Sequence, residues 1–300
     1  VRRGRLALRR ERVVTPDGDF LDLDWLDGPA GAPLVLVLHG LEGSARSHYV
    51  VGLLRLARAR GWRGVVMHFR SCSGELNRQP RFYHSGETGD LATVVDLLVA
   101  REPAVRLGAV GTSLGGNVLL KWLGERRGEI PGQVRAAVGI SVPFDLELCA
   151  RRLDRGFRRA VYAASFLRSM RRKVRDKARR YPDFVDVAAV RRARTFAEYD
   201  RLVTAPLGGF SDEVDYWRRA SSGPYLPGIE RPTLLIAALD DPFVPPAALP
   251  NPSRLPPPLR AEFVKAGGHA AFLERPWAAT SWAERRALDF LAAVVDGAGI

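Results

Sequence analysis

Gly111-Thr112-Ser113-Leu114-Gly115 sets a serine between two glycines. It follows the apolar run Val105–Val110 and opens a helical stretch over 114–126. A Gly-x-Ser-x-Gly element at a strand-to-helix junction is a sharp turn with the hydroxyl at its tip. Side chains at the flanking glycines would strike neighbouring elements, and amides at the helix start point toward developing negative charge. The chemistry this suits is attack by Ser113 on a carbonyl carbon.

A serine hydroxyl is a weak nucleophile near neutral pH and needs a base. Of His39, His48, His68, His84 and His269, only His269 follows Ser113 in the chain. The order serine, acid, histidine expected around such a turn therefore selects His269, in Gly267-Gly268-His269. The acid that fixes the imidazole tautomer must lie between them, after a strand. Asp240 and Asp241 follow the run Thr233–Leu239. Asp241 is the preferred member because it opens Asp241-Pro242-Phe243-Val244-Pro245. The oxyanion formed by attack needs two donors. Leu114, next after the nucleophile, and Leu41, in His39-Gly40-Leu41, are the candidates through their backbone N–H groups. Gly40 is expected to let the loop turn, and His39 is read as structural.

These residues need a sheet to hold them. The run 33–38 is apolar without alternation, as in a strand buried on both faces. Further strands are expected over 5–14, 19–26, 65–67, 105–110, 136–142, 233–237 and 259–264. Helices are expected over 46–60, ended by Gly61, then 88–100, with Thr88 or Asp90 as N-cap, 114–126 and 276–296. Such alternation predicts an α/β fold with a mostly parallel sheet covered on both faces. It breaks at Pro143. Residues 144–224 read as an inserted helical cap, and 1–143 with 225–300 as the core domain.

The formal charge is +13. Residues 151–180 hold thirteen Lys/Arg against Asp154 and Asp176, which leaves only +2 for the rest of the chain. Charge confined to one segment argues against a nucleic-acid groove spread over the fold. Within 157–174, Phe157, Val161, Ala164, Leu167, Met170 and Val174 recur at helical steps. They are expected to form one apolar face over the site. The arginines around them are either solvated or draw the cap onto an anionic membrane. No run of eighteen apolar residues exists, and Val1 to Arg12 lacks an apolar core for a secretory signal. Two isolated cysteines, Cys72 and Cys149, form neither a disulfide framework nor a zinc site and suggest a cytoplasmic setting. Dinucleotide, phosphate-loop and zinc-protease motifs are absent, so neither cofactor nor metal is expected.

Several segments together resemble one family. They are His39-Gly-Leu-Glu-Gly-Ser44 with Ser47-His-Tyr49, and Met67-His-Phe-Arg-Ser-Cys-Ser-Gly-Glu75 with Asn77. Tyr83-His-Ser-Gly-Glu-Thr88 with Asp90, Gly111–Asn117, Asp240-Asp-Pro242 and Gly268-His269 complete the set. The chain resembles the YheT-like branch of the α/β-hydrolases over about 39–117 and 232–272. That branch includes bacterial hydrolases, yeast medium-chain ethyl ester synthases and esterases, and animal lipid hydrolases of the ABHD type. The resemblance implies a triad of Ser113, Asp241 and His269 without metal or dissociable cofactor. Ser71 stands where the family usually has glycine. Arg70, Glu75, His84, Glu87 and Asp90 are read as a hydrogen-bonded scaffold, with substrate contact as the alternative. Asn117 is expected to support the turn.

The expected activity is cleavage of short- to medium-chain acyl esters. Acyl transfer or lipid hydrolysis by the same triad is the alternative. Outside the enzymes, the alternative is a lipid-binding module on a degenerate fold.

Overall fold

The computed structural model describes residues 6–272 and 280–297. Position 5 of the expected first strand and 276–279 of the expected last helix lie outside the described residues. Among the described residues eight strands form one sheet: β1 (Arg9–Val14), β2 (Phe20–Leu26), β3 (Leu34–Leu38), β4 (Arg63–Met67), β5 (Leu107–Thr112), β6 (Val134–Ile140), β7 (Thr233–Ala238) and β8 (Leu259–Val264). Their spatial order is β1-β2-β4-β3-β5-β6-β7-β8. β2 is antiparallel to β1 and β4, and the remaining pairs are parallel.

Every residue of β3 is buried, and successive side chains face opposite sides. Leu34, Leu36 and Leu38 pack with residues of α2 (Gly89–Arg101) and α3 (Leu114–Arg126). Val35 and Val37 pack with α1 (His48–Ala59) and the last helix, Trp282–Val295. One run of five residues thus feeds two cores. Each fully buried leucine in them contributes roughly 1.5–3 kcal/mol.

The boundaries differ from the sequence reading in physical detail. β6 stops at Ile140 because Ser141 turns the chain with φ 51°. Thr88 occupies the N-cap position of α2 without a side-chain cap bond, and Asp90 instead pairs with Arg70. Gly61, at φ 71°, follows the end of α1 as expected.

Between β6 and β7 the described chain is helical, running from Leu146 to Ala220 with its own apolar cluster around Leu146, Leu167, Val174, Phe196 and Trp217. The single apolar face expected over 157–174 does not form. Arg159–Ala163 is a π-helical turn, which adds a residue and shifts the face. Leu167 and Val174 point inward, whereas Phe157 is 75% and Val161 43% exposed. Among the described residues no helix is long and apolar enough to cross a membrane. Cys72 and Cys149 are both free thiols.

Candidate active site

The parallel strands deliver the singled-out residues to one edge, beyond their C-terminal ends, where open α/β sheets bind ligands. Ser113 leaves β5, Gly40 to Gly43 leave β3, Asp241 leaves β7 and His269 follows β8.

Ser113 has φ 55° and ψ −123°, outside the comfortable regions for an L-residue. The two glycines explain how the turn is accommodated. A Cβ on Gly111 would stand 2.4 Å from the Gly115 carbonyl oxygen, and one on Gly115 would stand 2.5 Å from that of His39. The Ser113 amide donates to the Ile140 carbonyl at 2.8 Å, which pins the turn to β6.

Ser113 Oγ lies 2.9 Å from His269 Nε2, and His269 Nδ1 lies 2.8 Å from Asp241 Oδ2. Asp241 is fully buried, and its Oδ1 accepts from the amides of Phe243 at 2.7 Å and Val244 at 3.2 Å. Asp240 points elsewhere. Its Oδ1 accepts from the amides of Gly267 and Gly268, both at 2.9 Å. The Phe243 ring sits 4.2 Å from the His269 ring, and Tyr162 meets Phe243 at 4.8 Å.

The loop after β3 shows what His39 does. The Phe69 amide donates to His39 Nε2 at 3.2 Å, so Nδ1 carries the ring hydrogen and donates to the Gly40 carbonyl at 2.8 Å. Burial lowers the His39 pKa to about 3 and keeps the ring neutral. Gly43 N also donates to Gly40 O, at 3.0 Å. A trans peptide is planar, so fixing the Gly40 carbonyl fixes the Leu41 N–H on the opposite side. Among the described residues no protein acceptor takes the amide of Leu41 or Leu114. Gly40 serves by closeness and not by a left-handed turn. A Cβ there would stand 3.2 Å from Ser113 Cβ, and the positive φ in this loop belongs to Glu42.

Ser113, His269, Leu41 and Leu114 open into a cavity of about 390 Å³. Its wall includes Leu146, Phe166, Met170, Phe196 and Trp217 from the helical insertion. Of these wall residues the sequence reading named Met170, as part of the face expected over the site, but not the other four, because burial against a cavity and burial in a core have the same helical period.

The Met67–Asp90 segment is mostly scaffold. Arg70 is buried and pairs with Asp17, Asp19 and Asp90. Glu75 pairs with Arg12, and Glu87 with Arg81. His84 from this segment lines the cavity, between Phe210 and Tyr216. Burial lowers its pKa to about 4. Ser71, at φ 65°, fills a left-handed position where glycine is easier, and its Oγ donates to Asn77 Oδ1 at 2.6 Å. Asn117 binds Ser85 O, Ala220 O and the Ser222 amide, tying α3 to the end of the insertion.

A family model described as alpha/beta hydrolase fold matches residues 33–276. YheT of Escherichia coli (strain K12), whose name gives it as a candidate esterase, is 42% identical over 268 residues, 88% of this chain and 78% of its own. Phospholipase ABHD3 of Homo sapiens is 28% identical over 298 residues, 96% of this chain and 72% of its own. The chain belongs to the α/β-hydrolase fold family, in its YheT-like branch. Among solved structures, the Pyrococcus furiosus esterase Pf2001 superposes with a TM-score of 0.62 at 17% identity. It covers 97% of this chain and 94% of its own, a likeness of fold.

Proposed function

We propose that this chain is a serine carboxylesterase in which Ser113 is the nucleophile, His269 the base, Asp241 the acid and the Leu41 and Leu114 amides the oxyanion donors. The protein is an ester hydrolase of the α/β-hydrolase fold. The unbroken line from Ser113 Oγ through His269 to Asp241, at 2.9 and 2.8 Å, carries the residue assignment.

Ser113 Oγ bonds to the acyl carbon as His269 Nε2 takes its proton. Asp241 stabilises the imidazolium that forms. The two amides hold the tetrahedral oxyanion. Its collapse expels the alcohol, which receives the proton from His269. A water then loses a proton to His269 and attacks the acyl-enzyme. The second collapse frees the acid as His269 gives that proton back to Ser113 Oγ, which restores both residues.

The insertion 144–224 acts as the cap in this reading, and 1–143 with 225–300 as the catalytic core. Its apolar wall favours substrates with an acyl chain, of short to medium length in a cavity of about 390 Å³. The name of ABHD3 lends support to a phospholipid or other lipid ester as the natural form. Where such a wall excludes water, the same triad can pass the acyl group to an alcohol instead, which is the alternative to hydrolysis. Fluorophosphonate labelling tests the nucleophile. Turnover of p-nitrophenyl acetate, butyrate, octanoate and palmitate, with and without ethanol, tests chain length and acceptor. Fastest turnover of palmitate would overturn the chain-length reading.

The outer face of the insertion supports peripheral contact with an anionic membrane. Phe157, Val161, Ser165, Arg168, Arg172, Arg175 and Arg179 are exposed and recur at three- and four-residue steps. Val161 is next to Tyr162, whose ring meets Phe243 over His269. Lipid bound there would lie beside the site.

A further inference from the structure

Leu41 and Glu42 are the central residues of the turn closed by Gly43 N on Gly40 O. Glu42 has φ 55°, at the turn position that glycine or asparagine usually fills. Its side chain is only 10% exposed. The carboxylate accepts from Tyr83 Oη at 3.0 Å, Ser169 Oγ at 2.5 Å and Lys173 Nζ at 2.6 Å. Tyr83 Oη in turn accepts the Glu42 amide at 2.9 Å. Ser169 and Lys173 lie one turn apart on the insertion helix Ala164–Ala178. Two of the three side-chain anchors therefore come from the insertion and one from the core. A disfavoured backbone conformation persists only where its surroundings over-determine it, and here they do.

We propose that Glu42 is a positioning residue for the oxyanion hole, tying the Leu41 amide to the insertion helix so that the donor is aligned only when that helix is seated. This rests on the reading of Ser113 as nucleophile and Leu41 as donor. A donor aimed at charge that develops in the transition state affects kcat, because the ground-state carbonyl engages it little. Contacts that merely shape the cavity would move KM instead.

Glu42→Gly is the informative variant. Glycine adopts the positive φ without strain, so the turn is kept while all side-chain anchors are lost. Lys173→Met removes one anchor from the helix side. Each is measured for kcat and KM on p-nitrophenyl butyrate and for inhibition by an alkyl boronic acid, which forms a tetrahedral anion on the serine. In Glu42→Gly, kcat is expected to fall at least about tenfold with KM within about twofold, and the boronate Ki to rise by the same factor as kcat falls. Lys173→Met is expected to show a smaller loss of the same kind, and Glu42→Gln, which retains hydrogen-bonding atoms, to recover part of the activity. If Glu42→Gly melts below the assay temperature, Lys173→Met decides by the same split. Unchanged kcat and Ki, or a change confined to KM, would overturn the proposal. Fluorophosphonate labelling of the wild type separates the two layers. An unlabelled Ser113 defeats the nucleophile reading, while a labelled enzyme indifferent to Glu42→Gly defeats only the positioning role.

Discussion

Asp240 and Asp241 are neighbours in the chain whose carboxylates hold different parts of one loop. Asp241 reaches the His269 ring at 2.8 Å, and Asp240 ties the Gly267 and Gly268 amides that precede it at 2.9 Å. Changing each to asparagine should therefore have unequal effects. Asp241→Asn would favour the wrong imidazole tautomer, a change that costs about 10⁴ in kcat in the serine-protease template. Asp240→Asn keeps a carbonyl oxygen able to accept the same two amides, so a loss under about tenfold is expected. Steady-state kcat for the two variants checks this, and the reverse ranking would move the acid to Asp240.

Ser113→Ala should abolish fluorophosphonate labelling and lower kcat on p-nitrophenyl butyrate by roughly 10⁶-fold, the loss found when a triad nucleophile is removed. The fold should persist, since the turn is held by backbone bonds and by Gly111 and Gly115 rather than by the hydroxyl. Far-ultraviolet circular dichroism checks that point. Retained labelling would place the nucleophile elsewhere.

His39 links acid stability to the oxyanion loop. Its folded pKa of about 3 lies below the ordinary 6.5 because burial disfavours the charged ring. Between those values the unfolded chain binds the extra proton. The contribution is complete above about pH 6.5 and is lost as pH falls toward about 3, at up to about 1.4 kcal/mol per pH unit. A His39→Gln variant cannot titrate there. Its urea-unfolding free energy should drop by about 2 kcal/mol less than that of the wild type between about pH 7 and about pH 4.5. Equal drops would mean that the ring protonates as easily folded as unfolded.

The sheet was legible because β3 is apolar without alternation and β5 runs straight into two glycines with a serine between them. Residue type alone decided those features. The insertion was less legible because periodicity assumes a uniform helix. The π turn over Arg159–Ala163 separates Phe157 and Val161 from Leu167 and Val174, which otherwise belong to one stripe. Glu42 was quoted within a motif, yet its role depends on φ and on partners more than a hundred residues away, Ser169 and Lys173. One signal was present: glutamate stands at the third position of Gly-Leu-Glu-Gly, where a tight turn favours glycine or asparagine.

The exposed stripe from Phe157 to Arg179 makes a prediction about lipid surfaces. Arg168 and Arg172 are exposed and have no acidic partner among the described residues, so their charge is available to a lipid headgroup. Each basic residue near an anionic bilayer contributes about 1 kcal/mol, an attraction that salt screens within about a Debye length. The protein should co-sediment with vesicles of phosphatidylcholine and phosphatidylglycerol at low salt, and weakly with phosphatidylcholine alone. Arg168→Gln with Arg172→Gln should lower the affinity by about 2 kcal/mol, roughly thirtyfold. Phe157→Ser should weaken binding at both low and high salt, because its contribution is apolar burial. All three changes lie outside the cavity wall, so turnover of soluble p-nitrophenyl butyrate should stay at the wild-type level while turnover of vesicle-borne ester falls. Equal binding to both vesicle types, or binding indifferent to salt, would remove the membrane from the proposal. Comparable salt-sensitive binding to a DNA duplex, unaffected by Phe157→Ser, would show a patch that responds to negative charge alone.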